Sequence, residues 1–392
     1  LQMTSASCTR QCQPSKLPQP TATSPPPPPP RKQRATVSSH RKHKRCARAA
    51  ATTETATRMQ DESFGPPPLH VSTEQHLNIA YWNTNGHLTQ HSAWTICQLI
   101  EHLMLDVCVL LDTRLNAKAG EYHAAAIKHF LPGSSVSLHS TTRHSTKAAG
   151  GARMQTMGGA MYILAPRCAQ SLRDSHADSS GLGVAGYVTL ATATATYFIS
   201  HCYLPPPPTA NDGPATLNSR LRTYLDAQAR LDSPQEYILA QLSTWITAAR
   251  RRSFRIINGG DYNMDHMHPR GDALRAWSQT LSLTSAVHMQ HPACPPCTHM
   301  LGGVPRTCID HIFIDDLSAA CLQHADAFHD ALAALYSDHC PVYLALKCPG
   351  IGTRARPPAH PPPPPRMELP HHNETIVTAY QDLMIDWTAQ HA

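Results

Sequence analysis

No stretch of about eighteen consecutive apolar residues, the length needed to cross a bilayer, occurs anywhere in the 392-residue chain. An apolar leader is missing from its first residues as well, which argues against a secretory signal. The thirteen cysteines are odd in number and irregularly spaced, so no disulfide framework is expected. These absences together imply a soluble protein of the nucleus or cytoplasm, not secreted and with no membrane partner. Net charge is also low, +6 from 33 basic and 27 acidic residues, but it is unevenly spread. Arg31, Lys32, Arg34, Arg41, Lys42, Lys44, Arg45 and Arg48 lie close together, the pattern of a nuclear-import signal or a nucleic-acid arm for DNA or RNA.

The 35 prolines gather near the two ends. Residues 1–74 hold Pro25 to Pro30 and Pro66 to Pro68 among Ser, Thr and Ala. Such a segment cannot bury enough apolar surface to offset its ordering entropy and is expected to be disordered. Residues 75–348 have ordinary globular composition and suffice for one large core. Residues 349–392 begin with a proline spacer, Pro361 to Pro365. Ile376, Val377, Tyr380, Leu383, Met384 and Trp387 then form an apolar stripe at helical spacing that calls for a partner surface or for sequence further downstream. The first residue is Leu1, not Met, which is read as the start of a piece of a longer product.

Within residues 75–348, apolar runs predict strands at Leu77 to Trp82, Val107 to Leu111, Gly159 to Leu164, Tyr187 to Leu190, Thr196 to Cys202, Phe254 to Ile257, Ile309 to Ile314 and Val342 to Leu346. Trp94, Cys97, Ile100 and Leu103 recur at helical spacing. A second helix, Tyr237 to Ala249, is announced by Ser233-Pro234-Gln235-Glu236, a capping box with Pro at its first helical position. Strands that often follow one another directly, mixed with helices, point to an α/β (α+β) sandwich.

Polar residues collect at the ends of these strands, where sheet scaffolds present chemistry. They are Asn83 and Asn85 in Trp-Asn-Thr-Asn-Gly, Asp112 in Leu-Leu-Asp-Thr-Arg, Tyr203 in His-Cys-Tyr-Leu-Pro, Asp261 and Asn263 in Gly-Gly-Asp-Tyr-Asn, Asp310 in Cys-Ile-Asp-His, and Asp338 with His339 in Ser-Asp-His. In this order the motifs resemble the endonuclease/exonuclease/phosphatase superfamily, whose members include exonuclease III, apurinic endonucleases and the nicking domains of non-LTR retrotransposons.

The resemblance implies a four-layer sandwich of two mixed sheets flanked by helices, and a divalent-metal-dependent phosphodiesterase. Asp112, with Asn85 and Asp338, would hold magnesium. Asp261 would activate water, supported by Asn83 and Asn263, and Tyr203 would donate to the phosphate. His339 would contact the scissile phosphate, oriented by Asp310. Thr298 and Arg306 would meet DNA. A DNA-nicking endonuclease leaving a 3′ hydroxyl follows, with a reverse transcriptase as downstream partner; a phosphatase, a deadenylase or a decayed binding module are the alternatives. Two positions depart from the pattern. Asp112 stands where the family carries Glu, and its shorter reach implies metal bound through water, or manganese in place of magnesium. Pro206 stands where many members carry Asn. Cys294 and Cys297 have a two-residue spacing seen in zinc sites, but no second pair completes the set, and a solvent-facing loop is expected.

Overall fold

The computed structural model describes residues 75–351, except 87, 89–91, 140–156, 209–212, 214–215, 302–303, 330–336 and 350. The segment expected to be disordered and the terminal apolar stripe both lie outside the described residues. Fourteen strands are described: β1 (His76–Asn83), β2 (Val107–Leu111), β3 (Ser135–His139), β4 (Ala160–Leu164), β5 (Leu172–Ala177), β6 (Ala185–Ala191), β7 (Thr196–Tyr203), β8 (Arg255–Asp261), β9 (Thr284–Ser285), β10 (His299–Leu301), β11 (Val304–Thr307), β12 (Asp310–Ile314), β13 (Leu322–Ala327) and β14 (Val342–Lys347). Interspersed among them are α1 (Ser92–His102), α2 (Ala117–Phe130), α3 (Pro166–Ala169), α4 (Leu217–Ala227), α5 (Pro234–Arg251), α6 (Asp272–Thr280), α7 (Ala286–Gln290) and α8 (Asp316–Ala319).

The strands build two six-stranded sheets, ordered β13-β14-β1-β2-β4-β3 and β5-β6-β7-β8-β12-β9, and a separate β10-β11 hairpin. Each large sheet is mixed: β1 and β2 run parallel, as do β7 and β8, while the other pairs are antiparallel. Period-two alternation explains how the sheets stack. Along β1, Leu77, Ile79 and Tyr81 enter the core shared with Val188, Ile199, Ile257 and Ile312 of the second sheet. Ala80 and Trp82 face the opposite way, toward Ile96 and Ile100 of α1 and Ile127 of α2. On the far side of the second sheet, Phe198 and Ile256 meet Leu221 of α4, Leu242 and Ile246 of α5 and Leu274 of α6. The layers therefore run helix, sheet, sheet, helix, as expected. Strand β2, whose five residues are all buried, reads as one apolar run because both its faces are covered.

The expected strands are all present, and the capping box at Ser233 and Glu236 is formed on both sides. Ile351 packs against the inter-sheet core, a short way past the expected boundary at 348. Strands β3, β5, β9 and β13, the hairpin, and every helix except α1 and α5 were not foreseen. β5 shows why: its central residues are exposed, so an edge strand of Arg, Asp, Ser and His carries no apolar signature.

Several buried histidines sit inside this frame. His201 is hydrogen-bonded through Nδ1 to the Tyr162 hydroxyl at 2.8 Å, and His311 through Nε2 to the Met264 carbonyl at 2.9 Å. Burial pushes His201 well below its ordinary range and His311 down to about 4. The unfolded chain therefore takes up the His311 proton first as pH falls, and stability drains from about pH 6.5 toward the folded value near 4. A His311→Gln variant is expected to lose this part of the acid sensitivity, its unfolding free energy falling less steeply by about 1 kcal/mol per pH unit between pH 6.5 and 5. Denaturant melts of both proteins across that range check it; parallel slopes would refute it.

Candidate active site

One end of the two sheets gathers the polar residues. Asn83 closes β1, Asp112 follows β2, and Tyr203 and Asp261 close the parallel pair β7 and β8. Asp310 opens β12 directly opposite Asp261 in the antiparallel register. Ser337, Asp338 and His339 lie just before β14, which runs antiparallel to β1. Six chain segments thus deliver their side chains to one place. Gly260 makes the approach feasible: its φ is +149°, and a Cβ there would run into the Cys202 backbone, so only glycine fits.

Asp261, Asp310 and His339 form the buried centre, with ligand atoms all within 4.8 Å of one another. His339 Nδ1 meets Asp310 Oδ2 at 2.8 Å, and its Nε2 faces Asp261 Oδ2 at 3.8 Å. Backbone bonds pin the ring: the Trp82 indole N–H donates to the His339 carbonyl at 3.0 Å, and the Ser337 hydroxyl accepts from the His339 N–H while donating to the Asn83 carbonyl at 2.6 Å. Burial alone would depress the imidazole, but the Asp310 and Asp261 carboxylates outweigh it and hold His339 up to about 10. The two carboxylates thus favour the protonated ring.

Asp261 is fully surrounded by donors. The Asn83 amide donates to Oδ2 at 2.8 Å, the Asn263 N–H to Oδ1 at 2.8 Å, and the Asn263 amide to Oδ2 at 3.2 Å. The same Asn263 amide donates to the Leu204 carbonyl at 2.7 Å, tying the β7 and β8 ends together. Burial pushes Asp261 up to about 7 against the pull of His339 and with the help of Asp310. A carboxylate tuned toward neutrality is suited to accepting a proton at physiological pH. Tyr203, 7 % exposed, has its phenol pushed up by burial and by Asp112 and Asp261, so it stays a hydrogen-bond donor facing the acids.

The second cluster lies beside the first. Asp112 is 1 % exposed. The Gly158 N–H donates to its Oδ1 at 2.7 Å, and Arg114 donates to its Oδ2 twice, from Nε at 2.9 Å and Nη2 at 2.6 Å. Arg114 Nη2 also donates to Asn85 Oδ1 at 2.6 Å, and the Asn85 amide donates to Asp338 Oδ1 at 3.0 Å. The three residues expected to hold magnesium are therefore brought together, but around a guanidinium. An ion at the usual distance of about 2.0–2.1 Å from Asp112 and shared with Asn85 would stand where Arg114 Nη2 stands. As placed, these donors do not fit a metal.

Thr298 is a correction. It is 0 % exposed, and its hydroxyl accepts from the Ile309 N–H at 3.0 Å and the Asp310 N–H at 2.9 Å. It holds the start of β12 and offers no surface to DNA. Arg306 lies on β11, where it is exposed. The hairpin carrying it reaches the site through His299, which bridges to His339 with ring centroids 5.1 Å apart. Cys294 is exposed in the loop that precedes β10, and among the described residues only Asp261, Asp310 and His339 form a potential metal group. Sequence reasoning missed Arg114, Gly158 and Ser337. Arg114 alone had a signal, a cation two residues after the expected metal carboxylate.

A family model described as Endonuclease/Exonuclease/phosphatase family matches residues 80–339. No curated protein matches the chain. Among solved structures, a 3′ phosphatase from Neisseria bound to a product DNA hairpin aligns at 18 % identity and a TM-score of 0.50, over 68 % of this chain and 98 % of its own. The Leishmania major AP endonuclease LMAP aligns at 14 % identity and a TM-score of 0.51, over 76 % of this chain and 99 % of its own. Both share the fold described above.

Proposed function

This chain belongs to the endonuclease/exonuclease/phosphatase family, and from that membership we propose that it is a DNA-nicking endonuclease, of the kind carried by non-LTR retrotransposons, that cuts one strand and leaves a 3′ hydroxyl. Members are divalent-metal-dependent hydrolases of phosphodiester bonds, and this chain is a hydrolase of that class. The observation that carries the reading is the line Asp310, His339, Asp261, in which the buried imidazole lies between two carboxylates, 2.8 Å from one and 3.8 Å from the other.

In this reading Asp261 accepts the proton of the attacking water, and the amides of Asn83 and Asn263 fix which oxygen lone pairs face it. His339 presents Nε2–H to a phosphate oxygen, where its charge counters the charge that grows in the transition state. Asp310 accepts from Nδ1–H and its charge favours the imidazolium, the form in which Nε2 also carries a proton to donate. Tyr203 adds a second donor. DNA as the substrate is supported by the product DNA hairpin bound to the Neisseria phosphatase, by the Leishmania relative being an AP endonuclease, and by the basic cluster from Arg31 to Arg48. The retrotransposon context is supported by the Trp-Asn-x-Asn-Gly and Ile-Asp-His motifs.

Supercoiled plasmid supplied with magnesium or manganese tests the function. The full chain is expected to convert it to open circles bearing 3′ hydroxyls, and an Asp261→Ala, His339→Ala double variant is expected not to. Equal nicking by the two preparations would sink the proposal. A second reading, a phosphatase on the same machinery, is favoured by the Neisseria relative's description; release of inorganic phosphate from 3′-phosphorylated DNA without nicking would select it.

A further inference from the structure

We propose that Arg114 is a displaceable internal cation: it holds the seat formed by Asp112 and Asn85, and a divalent ion takes that seat only by expelling the guanidinium. The two cations compete for the same oxygens. Arg114 places two N–H donors on Asp112 Oδ2 and one on Asn85 Oδ1. A buried carboxylate requires a counter-charge, and the Arg114 guanidinium supplies it to Asp112.

The backbone is built to put Arg114 there. Asp112 and Arg114 both adopt positive φ, 46° and 52°, a costly choice for residues with side chains. Together the two conformations turn the Asp112 and Arg114 side chains onto each other across Thr113. Neighbouring segments hold this turn: the Gly86 N–H donates to the Asp112 carbonyl at 2.8 Å, the Thr113 N–H to the Gly159 carbonyl at 3.1 Å, and the Arg114 N–H to the Gly158 carbonyl at 2.8 Å. Gly86, with φ +69°, also clears the way, since a Cβ there would collide with Arg114 Cδ.

Burial is asymmetric, which makes Arg114 the partner that an arriving ion displaces. The Arg114 side chain is 15 % exposed and that of Asp112 only 1 %. Arg114 is the member of the pair nearer to solvent. An arriving ion must therefore exchange with a resident charge, which raises the ion concentration the seat requires. The proposal stands whatever the substrate is, because it concerns ion binding and not cleavage.

Titration of the full chain with Mn²⁺, followed by the electron paramagnetic resonance of free Mn²⁺, tests it. Arg114→Ala is expected to bind the ion at least about tenfold more tightly than the unaltered chain, since a like charge at contact distance has been removed. Its melting temperature should be lower in chelator and should rise more on adding Mn²⁺. Arg114→Met keeps much of the side-chain volume without the charge and should show the same gain if the alanine variant folds poorly. Adding Asp112→Asn to either variant should abolish the gain and so locate it at this seat. Unchanged or weaker Mn²⁺ affinity in folded Arg114→Met, or a gain that survives Asp112→Asn, would overturn the proposal.

Discussion

Replacing Asp261 by Asn is expected to slow phosphodiester cleavage by about a thousandfold or more, the scale of a lost general base, while leaving the protein folded. The two halves of this expectation have separate causes. The rate falls because Asn cannot accept a proton from water, although its shape is the same and its one carbonyl oxygen keeps either the Asn263 N–H bond or the bonds from the Asn83 and Asn263 amides. The fold survives because opposing effects meet at one buried position. Burial raises the Asp261 pKa above its unfolded value, so its charge weakens the fold progressively as pH climbs from about 4 through 7, and Asn removes that penalty. Against this, His339 loses one of its two carboxylate neighbours. The net change in melting temperature at pH 8 is expected to be a few degrees at most. Cleavage rates on a nicked-plasmid assay beside a thermal melt check both parts. The acidic limb of the pH–rate profile, set by the rise of Asp261 to about 7, should vanish in the variant. A variant that retains a tenth of the rate would remove Asp261 from the base position.

That site was legible in the sequence because its parts sit at the ends of buried strands. Apolar runs such as Val107 to Leu111 and Ile309 to Ile314 fix the strands, and the first polar residue beyond or at the edge of each run is then a candidate for presentation. Asp112, Asp261 and Asp310 were all found this way, and the structure brings them to one end of the sandwich. The orientation of short loops was not legible. Thr298 has the composition of a surface residue, yet it is buried beneath Asp310 because the β10-β11 hairpin folds back over the site. The positive φ values of Asp112 and Arg114 left no mark in the sequence either, since neither residue is a glycine. Without those angles, Arg114 reads as a solvated cation. With them it becomes the partner of Asp112.

The polar edges escaped for another reason. Helix α2 buries only Gly120, His123 and Ile127 on its inner face, too sparse a stripe to stand out from alanine and charge. Gly120 shows how close the packing is, because a Cβ there would collide with the Leu138 side chain of β3. Strand β13 alternates His324 and Asp326 with Ala325 and Ala327, and small residues at the buried positions weaken the period-two signal. Elements of this kind are recognisable only once the strands they cover have been placed.

Replacing Asp310 by Asn is expected to cost cleavage roughly ten-thousandfold, the scale seen when a histidine loses the carboxylate that fixes its tautomer, and the loss should depend on pH. Asp310 contacts His339 Nδ1 at 2.8 Å, and its carboxylate is the largest of the influences that lift the imidazole against its burial, to about 10. Such a raised pKa means that the charged ring is present throughout the neutral range and that activity depending on it fades only as pH climbs through the folded value. Asn at 310 removes the negative charge, so the folded pKa of His339 drops and the alkaline limb of the profile moves toward lower pH. Geometry adds to the effect: an Asn amide nitrogen turned toward Nδ1 favours the tautomer with that nitrogen unprotonated, while burial opposes the charged ring. Part of the lost rate should therefore return as the assay pH is lowered from the alkaline side toward 7, where protonation of Asp261 sets in. The stabilisation that the imidazolium contributes in the unaltered chain, fully present below about pH 6.5 and lost as pH rises through 10, should shrink in parallel, which melts between pH 7 and pH 10 would read. A lower rate with the alkaline limb unmoved would show that Asp310 acts on cleavage by some route other than His339.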